Sequence, residues 1–156
     1  MEIRQIMFPT DFSHSSDAAL ALASSLAKDR GAKLHIVHVE EPPVAYGGGE
    51  MYYGIPEPVT EDLQRMLEEI KPPDPEVAYE HELITGDPAH AIADFAKEHD
   101  IDLIVMGTHG RTGLLRMLMG SVAEAVVRRA PCPVLTYKPK QGSKGEAAES
   151  GASESA

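Results

Sequence analysis

Three glycines and a serine in the second half of the chain have a spacing suited to binding an anion. Gly107 ends an apolar run that is typical of a buried strand, and Gly110 follows three residues later. Gly120 precedes Ser121, and Ser121 with Glu124 has the spacing of a capping box, which predicts a helix start. Glycines let a ligand approach the main chain, and the N–H groups of a helix start bind phosphate. The segment therefore predicts a phosphate site.

The spacing, Gly-x2-Gly-x9-Gly-Ser, differs from two common phosphate motifs. No Gly-Lys-Ser/Thr follows, as a Walker loop requires, and Gly-x-Gly-x-x-Gly is absent. The glycines are also compatible with a tight strand-to-helix connection alone. That alternative leaves unexplained why a further glycine and a capping serine follow.

Arginine is concentrated around this segment. Four of the seven arginines lie between residues 111 and 129, where Glu124 is the only acid, so the local charge is four minus one, or +3. Such an excess suits a polyphosphate. Arg128 and Arg129 fall in the last turn of the predicted helix, where cations favour the helix dipole, and are assigned to structure. Arg111 and Arg116 remain candidates for phosphate contacts.

Length and composition exclude several classes of protein. A chain of 156 residues predicts one domain, residues 1–140, and the Gly-, Ser-, Glu- and Ala-rich tail at 141–156 is predicted to be disordered. The net charge of −11 argues against nucleic acid and anionic membranes as partners. No apolar run reaches the length of a membrane span, and residues 1–5 lack the basic segment and apolar core expected of a signal sequence. Cys132 is the only cysteine and predicts a buried or half-buried residue. We therefore expect a cytoplasmic protein.

Strand and helix patterns alternate along the chain, which favours a parallel sheet with helical crossovers. Five strands are predicted, at residues 5–8, 34–39, 77–84, 101–106 and 134–137. Between them, helix starts are predicted at Ser13, Ser15 or Ser16, at Thr60, at Asp87 with Pro88, and at Ser121. Pro9 should end the first strand, Gly31 should end the first helix, and acidic residues place the third strand near an edge.

Two further predictions concern the loop at residues 40–59 and the histidines. The Pro- and Gly-rich loop is either mobile surface or a lid that closes over a base with Tyr46, Met51, Tyr52 and Tyr53. His35 and His38 are three apart on a strand, so their side chains point to opposite faces and cannot share a metal. No metal site is predicted.

At the glycine motif the chain resembles the universal stress protein family, whose nucleotide-binding members carry Gly-x2-Gly-x9-Gly-(Ser/Thr). Gly107, Gly110, Gly120 and Ser121 match it at every position, and the resemblance covers roughly residues 2–138. It implies a Rossmann-like, open five-stranded parallel α/β sheet of order 3-2-1-4-5 with helices on both faces. In that order the switch point lies between strands 1 and 4, where such sheets bind ligands.

The resemblance implies ATP or a related adenine nucleotide as the ligand, bound with or without Mg²⁺. The site residues that it implies, with Arg111 added from the charge pattern, are Pro9, Thr10, Asp11, Val39, Met106, Gly107, His109, Gly110, Arg111, Gly120, Ser121 and Val122. Asp11 would accept from the ribose or base, although its sequence context also suits a turn or cap. Val39 would meet adenine through its backbone, and Gly120, Ser121 and Val122 would bind phosphates. His109 is compatible with a phosphate contact or with a solvent-facing position.

The function implied is that of a stress-response sensor or regulator that binds ATP. No nucleophile with its base is visible, and only part of a phosphoryl-transfer set is present. The alternatives are a slow ATPase or phosphotransferase that acts with a partner, and a dimeric interaction module that binds no nucleotide. The resemblance also implies a homodimer through the last strand, Val134, Leu135, Thr136 and Tyr137.

Overall fold

The computed structural model describes residues 1–42, 60–108 and 119–138. Helices and strands alternate through these residues. In chain order they are β1 (Gln5–Pro9), α1 (Ser15–Arg30), β2 (Lys33–Glu40), α2 (Thr60–Glu68), β3 (Tyr79–Thr85), α3 (Pro88–Glu98), β4 (Leu103–Gly107), α4 (Ser121–Arg129) and β5 (Val134–Tyr137). The predictions for the 40–59 loop, beyond residue 42, and for the tail lie outside the described residues.

The five strands form one sheet of order β3-β2-β1-β4-β5, and every neighbouring pair is parallel. The predicted fold class and strand order are confirmed. β3 lies at one edge, as its acidic residues predicted, and β5 lies at the other. In the chain, β2 and β3 come between β1 and β4, but in the sheet they lie on the other side of β1. β1 and β4 are therefore neighbours, and the order of strands reverses between them.

Alternation along the central strands builds a core on each face of the sheet. Phe8 points to one face, where it packs with α1 and with Leu67 of α2. Its neighbour Met7 points to the other face, where Ile92 of α3 and Val126 of α4 complete the core. All five side chains are nearly inaccessible to solvent. Helices therefore cover both faces, as predicted.

Asp102 ties the starts of β1 and β4 together. Its Oδ2 accepts from the backbone N–H of Arg4 at 2.8 Å and of Gln5 at 2.9 Å. The Asp102 N–H in turn donates to the Gln5 carbonyl at 2.9 Å. The two strands whose opposite ends border the switch point are thus fastened at their amino ends.

Several helix and strand boundaries follow the sequence. Gly31 ends α1 in the left-handed conformation, at φ 62°, where a side chain would be strained. Asp87 caps α3 by accepting from the His90 N–H at 3.2 Å, and Pro88 is the first residue of the helix. Hydrogen bonds from His90 to the Asp87 carboxylate also lower the pKa of Asp87.

Other boundaries differ from the predictions. β1 ends at Pro9, as predicted, but includes this residue instead of stopping at Phe8, and Thr10 adds one more bond to β2 by donating its N–H to the Val37 carbonyl at 2.8 Å. The N-cap of α1 is His14, which makes no side-chain cap bond. The predicted serine caps are wrong, since Ser16 instead donates its N–H and hydroxyl to the Ser13 carbonyl.

Across these described segments, no helix combines the length and apolar character needed to span a membrane.

Candidate functional site

The residues after β1 form a tight turn held by their own side chains. Thr10 is buried, and its Oγ1 accepts from the Phe12 N–H at 3.1 Å. Asp11 Oδ1 accepts from the Ser13 N–H at 2.9 Å and from the Ser13 hydroxyl at 2.5 Å. The turn role that the sequence allowed for Asp11 is therefore present. It holds the carboxylate at the carboxyl end of a central strand.

His38 and Phe12 support this turn, and neither was among the predicted site residues. The Nδ1–H of the buried His38 donates to the Thr10 carbonyl at 2.7 Å, because a carbonyl can only accept. The ring of Phe12 lies 4.3 Å from the ring of His38. Phe12 has φ 66°, a conformation that costs a bulky side chain energy and that concentrates at functional sites. Packing against His38 holds the backbone in this strained form.

The residues at the end of β4 are joined directly to the start of α4. Met106 is buried, and Gly107 is the last residue of the strand. The Thr108 N–H donates to the Tyr137 carbonyl at 3.1 Å, and the Gly120 N–H donates to the Thr108 carbonyl at 2.5 Å. The chain thus leaves β4 at Gly107 and returns beside it at Gly120. This closure brings the amino end of α4 to the carboxyl end of β4.

The capping box predicted at Ser121 is not formed. The N-cap of α4 is Gly120, in an extended conformation and without a side-chain cap bond, and Ser121 is the first helical residue. Glu124 pairs with Arg128 at 2.6 Å instead of reaching back to the helix start. Ser121 and Val122 are exposed. The first N–H groups of a helix have no acceptor within the helix, and the hydrogen bond from Gly120 to Thr108 brings those of α4 to the carboxyl end of β4.

The predicted site residues that the structure describes fall into two groups, both at the carboxyl ends of the strands. Pro9 is the last residue of β1, Thr10 and Asp11 follow it, and Val39 lies one residue before the end of β2. The second group, at the end of β4 and the start of α4, consists of Met106, Gly107, Gly120, Ser121 and Val122. His109, Gly110, Arg111 and Arg116 lie outside the described residues. The two groups border the switch point between β1 and β4.

Arg128 and Arg129 make contacts within the fold, in line with their assignment to structure. Arg128 pairs with Glu124, and Arg129 Nη1 lies 2.6 Å from His90 Nε2 of α3.

Cys132 is half-buried, as predicted, and burial raises the pKa of its thiol.

A cavity of about 250 Å³ lies beside α1 and α2. It is lined by Phe8, Thr10, Phe12, Ser13, Ser16, Asp17, Leu20, Met66, Glu69 and Ile70. Among the predicted site residues that the structure describes, only Thr10 borders it. No described residue of β4 or α4 lines the cavity, so the candidate site is located from the ends of the strands and not from this cavity.

The parallel sheet has this strand order and carries helices on both faces, and a helix with a glycine N-cap begins beyond the carboxyl ends of its strands. These features define a Rossmann-like α/β protein. Residues 2–138 match the universal stress protein family, and the chain belongs to that family. Universal stress protein MJ0531 of Methanocaldococcus jannaschii is 39% identical over 139 residues, which cover 86% of this chain and 82% of that protein.

Two solved structures of similar proteins hold adenine nucleotides. One is a universal stress protein in complex with cAMP, which is 25% identical, has a TM-score of 0.66 and aligns over 90% of this chain and 100% of its own. The other is the universal stress protein from Archaeoglobus fulgidus in complex with dAMP. It is 26% identical, with a TM-score of 0.58, over 87% of this chain and 98% of its own.

Proposed function

We propose that this protein binds ATP or a related adenine nucleotide at the switch point between β1 and β4, and acts as a stress-response sensor or regulator. The observation that carries the proposal is the start of α4. Gly120 lies beside the end of β4, and within the part of the chain that the structure describes no side chain caps the first turn of the helix. An anion at that place would accept the hydrogen bonds that a cap otherwise accepts, and it would meet the positive end of the helix dipole.

The nucleoside half of the site rests on the residues at the carboxyl ends of β1 and β2. The Thr10–Asp11 turn is fixed by its own hydrogen bonds and by His38, so a carboxylate is already in place to accept from a ribose or base. Preorganised groups bind a ligand without the cost of ordering them. Two relatives that hold cAMP and dAMP favour an adenine nucleotide as the ligand.

Two measurements on the purified full-length protein test this function. Mass spectrometry of denatured protein should detect an adenine nucleotide released from the site. Adding ATP to ligand-free protein should raise the melting temperature, because a ligand that binds only the folded state stabilises it by mass action. If the purified protein carries no nucleotide and its melting temperature does not change with ATP, nucleotide binding is excluded. The remaining hypothesis is then a dimeric interaction module that binds no nucleotide.

We further propose that two copies pair through β5. β5 ends the sheet, and its four residues are each half-buried. Pro133 and Tyr137 direct their carbonyls to β4, so the alternation along the strand directs the Thr136 N–H away from β4. An edge strand of this kind can pair with its copy in a second chain.

Replacing Thr136 with proline should convert the dimer into a monomer and leave the fold intact. Proline removes the outward N–H and is tolerated at a sheet edge. Thr136→Val keeps that N–H and should remain dimeric. Light scattering measures the mass of each protein in solution. A monomeric native protein, or a Thr136→Pro dimer with unchanged affinity, would contradict pairing through β5.

A further inference from the structure

We propose that His35, Glu80 and Glu82 form a binding site for a divalent transition-metal ion, with Zn²⁺ the best match. The three residues lie on β2 and β3, on the face of the sheet that α3 covers. This site is separate from the proposed nucleotide site, since His35 is the third residue of β2 and the nucleotide site lies beyond the strand's other end.

The two strands bring the three side chains together through their register. His35 pairs directly with Glu80 on the neighbouring strand. Glu82 lies two residues further along β3, so its side chain points to the same face as that of Glu80. One ring nitrogen and one oxygen from each carboxylate all lie within 4.8 Å of one another. Histidine spacing could not reveal this group, because its carboxylates come from another strand.

The hydrogen bonding of His35 leaves one ring nitrogen with a lone pair that can bind a metal ion. Nε2 lies 2.7 Å from Gln5 Oε1, an acceptor, so Nε2 carries the ring proton and Nδ1 holds a lone pair. His35 is 5% exposed, and within the described part of the chain Nδ1 is buried with no hydrogen-bond partner. Histidines that bind metal commonly donate their other N–H to an oxygen, which fixes the tautomer and the ring orientation. Gln5 occupies that supporting position.

Two neighbouring rings hold the His35 side chain in place. Phe95 of α3 contacts the ring edge-on at 5.8 Å between centroids, and the ring of His99 lies 6.2 Å away. These two contacts hold the His35 ring against α3.

A cation already occupies part of this site. Lys33 Nζ lies 2.5 Å from Glu80 Oε1, and the Lys33 side chain is about one-third exposed. A metal ion would take the place of this ammonium at Glu80, while Lys33 turned toward solvent. Lys33 should therefore weaken metal binding through like charge.

The donor set favours Zn²⁺ over Mg²⁺. One imidazole and two carboxylates, with a water molecule, complete a four-coordinate shell of the kind Zn²⁺ adopts, whereas Mg²⁺ prefers six oxygens. Bonds of about 2.0–2.2 Å at tetrahedral angles place ligand atoms about 3.4 Å apart. The ligand atoms must therefore close by up to about 1.4 Å, a movement available to the side chains of an exposed and a half-buried glutamate.

Titration calorimetry with Zn²⁺ alone, on full-length protein freed of metal and nucleotide, tests this site. The native protein should bind one Zn²⁺ per chain, and Glu80→Gln and Glu82→Gln should each raise its Kd by at least about tenfold. Lys33→Met should lower the Kd. Glu61→Gln, at an exposed position in the first turn of α2, is the matched control and should leave the Kd unchanged.

Far-ultraviolet circular dichroism checks that each variant is folded. The proposal is overturned if the native protein binds no Zn²⁺ stoichiometrically, or if both glutamine variants bind it with the native Kd. A Lys33→Met protein that binds Zn²⁺ more weakly than the native protein would also contradict it. Nucleotide binding is measured separately, so failure here leaves the proposed function untouched.

Discussion

Replacing Ser121 with aspartate should weaken ATP binding by about tenfold or more and leave the fold at least as stable. Ser121 is the exposed first residue of α4. A carboxylate in the first turn of a helix interacts favourably with the helix dipole, by about 0.3–1 kcal/mol. The same carboxylate would stand where the proposed site holds phosphates. Two like charges about 5 Å apart near a protein surface repel by about 3 kcal/mol before salt screening.

Ser121→Asn is the matched control, because asparagine has the shape of aspartate without its charge. It should keep most of the affinity, whereas Ser121→Ala should lose only the contribution of one hydroxyl hydrogen bond, about 1 kcal/mol. Calorimetry gives the ATP affinity, and urea unfolding gives the stability. Equal ATP affinity for the aspartate and asparagine proteins would place the phosphates elsewhere.

Replacing Asp102 with alanine should lower the stability of the fold and leave ATP binding nearly unchanged. The Asp102 carboxylate accepts from two backbone N–H groups, those of Arg4 and Gln5, at 2.8 and 2.9 Å. Hydrogen bonds to a charged group contribute about 1.5–3 kcal/mol each. Solvent can reach Asp102 and replaces part of this, so we expect the free energy of unfolding to fall by about 2–3 kcal/mol. Asp102 lies at the amino ends of β1 and β4, so the folded variant should bind ATP with nearly native affinity.

Urea unfolding measures the loss of stability, and Asp102→Asn should lose less, since its amide oxygen still accepts. Asp94→Ala, at an exposed position on α3, is the control and should change little. A loss below about 0.5 kcal/mol in Asp102→Ala would show that water replaces the carboxylate at the strand ends. A loss of ATP affinity in the folded variant would mean that the strand starts and the site are coupled.

Much of the fold could be predicted because its signals are local. Gly31 and Asp87 mark helix ends through backbone conformation and a short cap, which depend on neighbours in sequence. The alternation of strands and helices predicted a parallel sheet. The strand order came from the family resemblance, because periodicity does not specify which strands are neighbours.

The helices α1 and α4 begin at Ser15 and Ser121, where helix starts were predicted, but the predicted side-chain caps do not form, for a physical reason. A side chain that could cap a helix has other partners available, and the choice depends on geometry. Glu124 pairs with Arg128 one turn later, and Ser16 bonds the Ser13 carbonyl. Sequence spacing alone does not distinguish these arrangements.

The roles of His38 and Phe12 could not be predicted because they depend on contacts between distant segments. His38 reaches the Thr10 carbonyl from the neighbouring strand. A positive φ is unusual for phenylalanine, and it persists at Phe12 where the ring packs on His38. Only the assembled sheet brings these groups together.

Calorimetric titration of the ligand-free, full-length protein with ATP tests the central claim most directly. The account predicts saturable binding of one ATP per chain, weakened about tenfold or more by Ser121→Asp and little changed by Ser121→Asn. No saturable binding of ATP, or of ADP, AMP or cyclic AMP in parallel titrations, would contradict it.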